Sequence, residues 1–176
     1  VAVVDEYCND YVPPPTVLHL VRLCQRLRKL RCDARDGAEL AAALKGLAPA
    51  AGTLQVLHLR LKAGEGVEPG VPLRAAEALG RLSALRELGV HEEWDVYQYG
   101  DYKLCAARLL APAVPSLTSL SSLVVWGNAT IDAGRPQPLP GVWLGSLREV
   151  NLQGPILDGL RALPHMAGVT SLRLDG

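Results

Sequence analysis

Short stretches with one spacing of apolar residues recur along the chain. The clearest is LSSLVVWGN, from Leu120 to Asn128, with apolar residues at places one, four and six and asparagine at place nine. Side chains alternate across a strand, so Leu123 and Val125 point to one side and Trp126 points to the other. The spacing therefore predicts a short strand with one apolar face.

Five other stretches carry apolar residues at the same three places. They begin at residues 27, 54, 85, 147 and 169, and with the stretch at 120 the successive starts are 27, 31, 35, 27 and 22 residues apart. The chain thus resembles the leucine-rich repeat family, whose pattern is L-x-x-L-x-L-x-x-N over roughly 20 to 29 residues. The copies are imperfect, since Cys32 holds place six of the first and only the copy at 120 has the asparagine.

This resemblance covers nearly the whole chain and implies an α/β fold. It implies one leucine-rich repeat solenoid over residues 1–176, a curved arc with parallel strands on the concave side and helices and turns on the convex side. The order of strand, loop and helix is similar to the ribonuclease-inhibitor-like branch, in a divergent form with about six irregular repeats. Because an array that ends on a strand exposes apolar surface, we expect the chain to be a piece of a longer polypeptide.

Three segments between the strands have the apolar spacing of helices. One covers residues 16–27, where Thr16 follows three prolines and is predicted to be the N-cap. Asp36, with Glu39 three places later, predicts the start of a second helix. Its buried stripe is predicted to comprise Leu40, Ala43, Leu44 and Leu47. A third helix is predicted over residues 73–82, with its inward side formed by Ala76, Leu79 and Leu82.

Charge and hydropathy limit the classes of partner. The 18 basic and 18 acidic residues cancel, so the chain has no general attraction for nucleic acid or an anionic membrane, and we expect neither partner. No apolar run is long enough for a transmembrane helix. Residues 1–4 are apolar but lack the basic residues that precede the core of a signal peptide.

Four cysteines, Cys8, Cys24, Cys32 and Cys105, are scattered along the chain. They form no C-x-x-C pair and have no histidine at ligand spacing. We therefore expect buried free thiols and an intracellular, cytoplasmic location, because thiols persist in a reducing compartment. A zinc site and a disulfide pair are the alternatives.

Polar side chains hold most places on the other side of the predicted strands. Those predicted to contact a partner include Arg31, His58, Arg60, Glu87, His91 and Trp126. A mixed, mostly polar surface of this kind suits a protein partner better than a small molecule. The alternative is a face that meets only solvent.

The longest insertion, residues 91–102, is rich in aromatic residues. Its sequence is HEEWDVYQYGDY, and its rings belong to Trp94, Tyr97, Tyr99 and Tyr102. Tryptophan and tyrosine are enriched where a surface meets another protein, and loops on a rigid scaffold often carry binding residues. We predict that these rings bind a partner; in the alternative, they cover the edge of the core of the third repeat.

Enzyme motifs are missing from the sequence. There is no G-x-S-x-G, P-loop or G-x-G-x-x-G. His58 and His91, with Glu92, Glu93 or Asp95, form the one candidate metal centre, but neither histidine lies in a pattern such as H-E-x-x-H. We expect no catalytic residues, no cofactor and no metal.

These observations predict a non-enzymatic protein–protein interaction module. Such a scaffold holds or recognises a protein partner as a subunit or segment of a larger assembly, and stacked repeats fix its binding face beforehand. The alternative is a substrate-recruiting subunit of a ubiquitin-ligase-type complex, which many leucine-rich repeat proteins form.

Overall fold

The fold is α/β and is built on one parallel sheet. A computed structural model describes residues 13–24, 26–62, 71–93, 113, 116–126, 146–153 and 168–175. Within these ranges there are six strands and three α-helices. The strands lie in the sheet in chain order, and every neighbouring pair is parallel. The predicted α/β class and the six parallel strands are therefore confirmed.

One α-helix precedes the first strand, and one lies in each of the two connections between the first three strands. The strands are β1 Lys29–Ala34, β2 Val56–Lys62, β3 Glu87–Glu93, β4 Ser122–Trp126, β5 Glu149–Gln153 and β6 Ser171–Asp175. The helices are α1 Pro14–Leu23, α2 Gly37–Gly46 and α3 Val71–Gly80, and a short 3₁₀ helix covers Ala48–Ala50.

The register of the sheet places the apolar positions of the strands side by side. One row consists of Leu30, Leu57, Leu88, Leu123, Val150 and Leu172. The next consists of Cys32, Leu59, Val90, Val125, Leu152 and Leu174. Leu57 and Leu88 are fully buried, whereas Leu172 on β6 is 43% exposed. Places four and six of every predicted repeat thus lie in register.

Helix α2 begins as the sequence predicts. Asp36 is the N-cap, and its Oδ1 accepts a hydrogen bond of 2.8 Å from the backbone N–H of Glu39. Glu39 in turn accepts a bond of 2.8 Å from the N–H of Arg35, one residue before the cap. The first bond satisfies an N–H group that the first helical turn leaves open, and the second holds the residue that precedes the cap. The predicted stripe is buried at Leu40, Ala43, Leu44 and Leu47.

Helix α1 differs from the prediction at both ends. The predicted N-cap at Thr16 is wrong, because the helix starts at Pro14 and Thr16 lies in its first turn. Prolines fit that turn since their missing N–H groups would have no helical partner there. The helix also ends at Leu23, which is exposed, whereas Leu27 enters the core beyond it.

The buried residues of the helices and strands form one cluster, so the helices pack on the apolar face of the sheet. Helix α3 starts and ends two residues earlier than predicted. The predicted inward residues are nevertheless buried, with Ala76 and Leu79 in the helix and Leu82 just beyond it. None of the described helices combines the length and apolar character that a membrane crossing requires.

Candidate functional site

The opposite side of the sheet, here called the polar face, carries three rows of side-chain positions. The amino-end row is Lys29, Val56, Glu87, Ser122, Glu149 and Ser171. The middle row is Arg31, His58, Gly89, Val124, Asn151 and Arg173. The carboxyl-end row is Asp33, Arg60, His91, Trp126, Gln153 and Asp175. All of these residues hold the register positions that the repeat spacing predicts.

Three rings meet at the centre of the polar face. The centroid of Trp126 lies 5.8 Å from that of His58 and 6.2 Å from that of His91, and both contacts are edge-on. His58 is two strands away from Trp126 and reaches it across Gly89. A Cβ atom on Gly89 would lie 3.0 Å from Cδ2 of His58 and 3.2 Å from Cζ3 of Trp126. The small residue at position 89 therefore makes room for the ring contact.

Burial distinguishes His58 from its neighbours on the polar face. The sequence predicts an outward contact residue, but only 8% of His58 is exposed. Its Nε2 lies 2.7 Å from Oε1 of Glu87, which accepts a hydrogen bond when the carboxyl group is ionised. The imidazole is thus held between Glu87 and Trp126. Its position suits it to orient the indole more than to contact a partner.

Arg60 and Asp33 form a two-point ion pair on β1 and β2. Nε of Arg60 donates to Oδ1 of Asp33 at 2.6 Å, and Nη2 donates to Oδ2 at 2.5 Å. Both side chains are largely covered, with 28% and 20% exposure respectively. The planar fork fixes Arg60 in one orientation. The repeat spacing gave a signal for this pair, since both residues hold place seven of successive repeats.

Strands β4 and β5 contribute residues that the sequence analysis did not select for binding. Ser122 donates a long hydrogen bond of 3.4 Å to Oε2 of Glu149, which is exposed. Next to them, Val124 and Asn151 are half-buried. Oδ1 of Asn151 is buried and has no hydrogen-bond partner. The alternation of side chains along each strand was the signal that could have identified these residues.

The structure brings together some of the predicted binding residues. Glu87, His58, His91 and Trp126 meet in one cluster, and Arg60 is paired beside it. Arg31 is half-buried in the middle row of β1. The insertion rings, Trp94, Tyr97, Tyr99 and Tyr102, lie outside the described residues, so their role stays a prediction.

Cys32 lies in the core, and its thiol is not activated as a nucleophile. Burial raises the pKa of its thiol to about 12, and the charges of Asp33 and Glu39 add to this effect. The thiol is therefore protonated at neutral pH. Cys24 is a half-buried free thiol. In the part of the chain that the structure describes, no three histidine, cysteine or carboxylate side chains gather as metal ligands.

Comparison of the chain with protein-family models, with curated proteins and with solved structures returns no match in any of the three. The resemblance to leucine-rich repeats therefore rests on the spacing of the residues and stays a prediction.

Proposed function

We propose that the chain is a leucine-rich repeat solenoid that binds a protein partner through the polar face. One observation supports the proposal: six separate strands align their alternate positions in three rows along one side of the sheet. The other side of strands β1 to β5 contributes side chains to the core. Recurrence at matching places of six repeats is the layout by which repeat proteins build an extended binding surface.

The packing of the strands supports a rigid surface. Leu30, Leu57 and Leu88 are fully buried beneath the first three strands, and close-packed side chains of this kind resist rearrangement. The ring cluster and the ion pair of Arg60 with Asp33 fix polar-face side chains as well. A partner therefore binds side chains that are already ordered, and little conformational entropy is lost on association.

The size of the polar face suggests that flanking residues also take part. Five gaps between strands give a width of about 24 Å, and four residues along a strand give about 13 Å. The flat area of roughly 300 Å² is below the ~800 Å² that each partner buries in a standard interface. We propose that the aromatic insertion supplies further contact, because residues 94–102 follow β3 directly in the sequence.

Affinity capture with two matched variants tests the proposal. Val124→Arg places a long charged side chain in the middle row of the polar face. Ala42→Arg makes a similar change at an exposed position on α2, on the helical side. Mass spectrometry should identify a partner that the wild type and Ala42→Arg retain and Val124→Arg loses, while both variants keep their circular dichroism spectra. A partner retained by Val124→Arg and lost with Ala42→Arg would overturn the proposed binding face.

A further inference from the structure

The described turns that lead into the strands carry only positive charge. They lie at the amino ends of the parallel strands, here called the entry rim, and comprise residues 26–28, 47–55, 81–86, 116–121, 146–148 and 168–170. These segments contain five arginines and no aspartate or glutamate. The carboxyl ends of the strands carry both signs, with five acidic and three basic residues at 33–36, 60–62, 91–93 and 174–175. Although the charges of the whole chain cancel, positive charge is therefore concentrated along the entry rim.

A row of backbone hydrogen bonds holds the last residue of each entry segment in register. The N–H of Gln55 donates to the carbonyl oxygen of Arg28, and the N–H of Arg86 donates to that of Gln55, both at 2.8 Å. The row continues at the same distance through Ser121 to Arg148. Arginines thus precede alternate strands, β1, β3 and β5. Because neighbouring strands are about 4.8 Å apart, successive arginines of the row are separated by about 10 Å.

The helix dipoles do not account for this row. A basic residue in the last turn of a helix interacts favourably with the negative end of the dipole, which explains Arg22 on α1 and Lys45 on α2. Arg28 and Arg86 lie beyond the ends of the helices and are exposed. Among the described residues, neither side chain has an ion-pair or hydrogen-bond partner. Both guanidinium groups are therefore available to a partner.

The nearest carboxylates in the sequence belong to the polar face. Glu87 directly follows Arg86, but adjacent residues of an extended chain point to opposite sides, and Glu87 is bonded to His58. Glu149 follows Arg148 in the same way. Arg148 is itself held in place, since its Nη1 donates to a backbone carbonyl oxygen at 3.1 Å. The positive charge of the row is thus not cancelled by the acidic residues next to it in the sequence.

We infer that the entry rim binds an acidic, extended segment of the protein partner whose carboxylates, three residues apart, contact Arg28 and Arg86. The inference rests on the proposed function and specifies the chemistry of the partner. A polyproline II helix has three residues per turn and rises about 3.1 Å per residue, so residues i and i+3 lie on one side about 9 Å apart. This distance matches the separation of about 10 Å between the two arginines. A guanidinium group binds each carboxylate through two parallel hydrogen bonds.

Nuclear magnetic resonance with three model peptides tests the inference. The spaced peptide has three glutamates separated by pairs of prolines, and the neutral peptide has glutamine at the same places. The contiguous peptide has the three glutamates together between two pairs of prolines, so its charge and composition equal those of the spaced peptide. In about 0.02 M salt, where screening is weak, the spaced peptide should saturably shift the backbone amide signals of Gln55 and Arg86. It should bind about tenfold more tightly than the neutral peptide and about threefold more tightly than the contiguous one.

Arginine variants locate the site. Arg28→Gln and Arg86→Gln should each weaken the spaced peptide by about threefold, because each removes one charged contact at an exposed position. Arg35→Gln is the matched control, since Arg35 is an exposed arginine just after β1, at the opposite end of the sheet, and should leave the affinity unchanged. Equal binding of the spaced peptide and either other peptide, or an equal loss with Arg35→Gln, overturns the inference.

A single-stranded oligonucleotide tests the other class of acidic partner. The described entry segments contain no aromatic side chain on which bases could stack. Oligothymidine should therefore bind more weakly than the spaced peptide in the same titration. Tighter binding of oligothymidine that is lost with Arg28→Gln would assign the entry rim to a nucleic-acid backbone and overturn the inference.

Failure of this inference and failure of the proposed function give different results. If the captured partner is lost with Val124→Arg while the spaced peptide does not bind, the polar face is a protein-binding surface and the acidic assignment of the partner is wrong. If capture of the partner does not depend on position 124, the proposed function itself is wrong.

Discussion

The two halves of the sheet, β1 to β3 and β4 to β6, differ in how completely their apolar side chains are buried. In β1 to β3, Leu30, Leu57 and Leu88 are fully buried. On the polar face of the same strands, Arg60 and Asp33 form a two-point ion pair. From β4 onward the burial is uneven, with an exposure of 9% at Val125, 1% at Val150 and 43% at Leu172. Above these strands, acceptors such as Oδ1 of Asn151 remain unsatisfied. The contrast indicates that the packing beneath the first three strands contributes most to the stability of the described fold.

The largest test of this contrast compares one leucine from each half. Leu57→Ala should lower the free energy of unfolding by roughly 2 to 5 kcal/mol, because the truncation leaves a cavity in a fully buried site. Leu172→Ala, in the same row of the sheet, should cost less than about 1 kcal/mol since much of its side chain already meets solvent. Denaturant unfolding measures both values. Equal losses would mean that the two halves contribute alike to stability.

Gly89, at the border of the halves, offers the next test. Gly89→Ala should destabilise by roughly 1 to 3 kcal/mol, because the added Cβ atom would lie 3.0 Å from His58 and 3.2 Å from Trp126. Gly52→Ala is the control, since a Cβ atom there meets nothing within 4 Å. Thermal unfolding should separate the two variants. A similar midpoint for both would show that the rings do not depend on the space at position 89.

The N-cap of α2 allows the contribution of a single hydrogen bond in the first half to be measured. Asp36→Ala should cost about 1 kcal/mol, because the N–H of Glu39 loses its acceptor. Asp36→Asn keeps an acceptor oxygen at the same place and should cost much less. Denaturant titrations of the two variants provide the measurement. An equal loss for alanine and asparagine would assign the effect to charge and not to the bond.

The smallest expected effect comes from comparing a carboxylate in an ion pair, Asp33, with an exposed carboxylate, Glu149. Asp33→Asn should cost up to about 1 kcal/mol, since it breaks the fork to a largely covered Arg60. Glu149→Gln should leave the unfolding free energy unchanged within error, because Glu149 is exposed and accepts only a long bond. If Glu149→Gln proved the more damaging, the polar residues of the second half would have a structural role.

The sequence was sufficient for features that depend on local spacing. Apolar place four predicted which side of strands β1 to β5 enters the core, because a strand alternates with period two. The start of α2 was equally predictable, since Asp36 and Glu39 complete the cap within one turn. A shift of one residue would have sent Leu57 outward, so the burial of this residue is a strict check of the register.

Features that depend on distant residues were not predictable from the pattern. His58 contacts Trp126, which is 68 positions later in the chain, and the small residue Gly89 lies between them. A list of outward places treats each side chain separately and cannot show that two rings meet. Thr16 was misassigned for another reason, because both it and proline are suited to the start of a helix and the prolines come first.

Carboxylate footprinting of the complex tests the central claim most directly. Glu149 on the polar face and Glu77 on α3 are both exposed glutamates, so carbodiimide labelling should modify both in the free chain. After the captured partner is added, labelling of Glu149 should fall strongly while labelling of Glu77 stays constant. Protection of Glu77 with continued labelling of Glu149 would place the partner on the helices and contradict the assignment of the polar face as the binding surface.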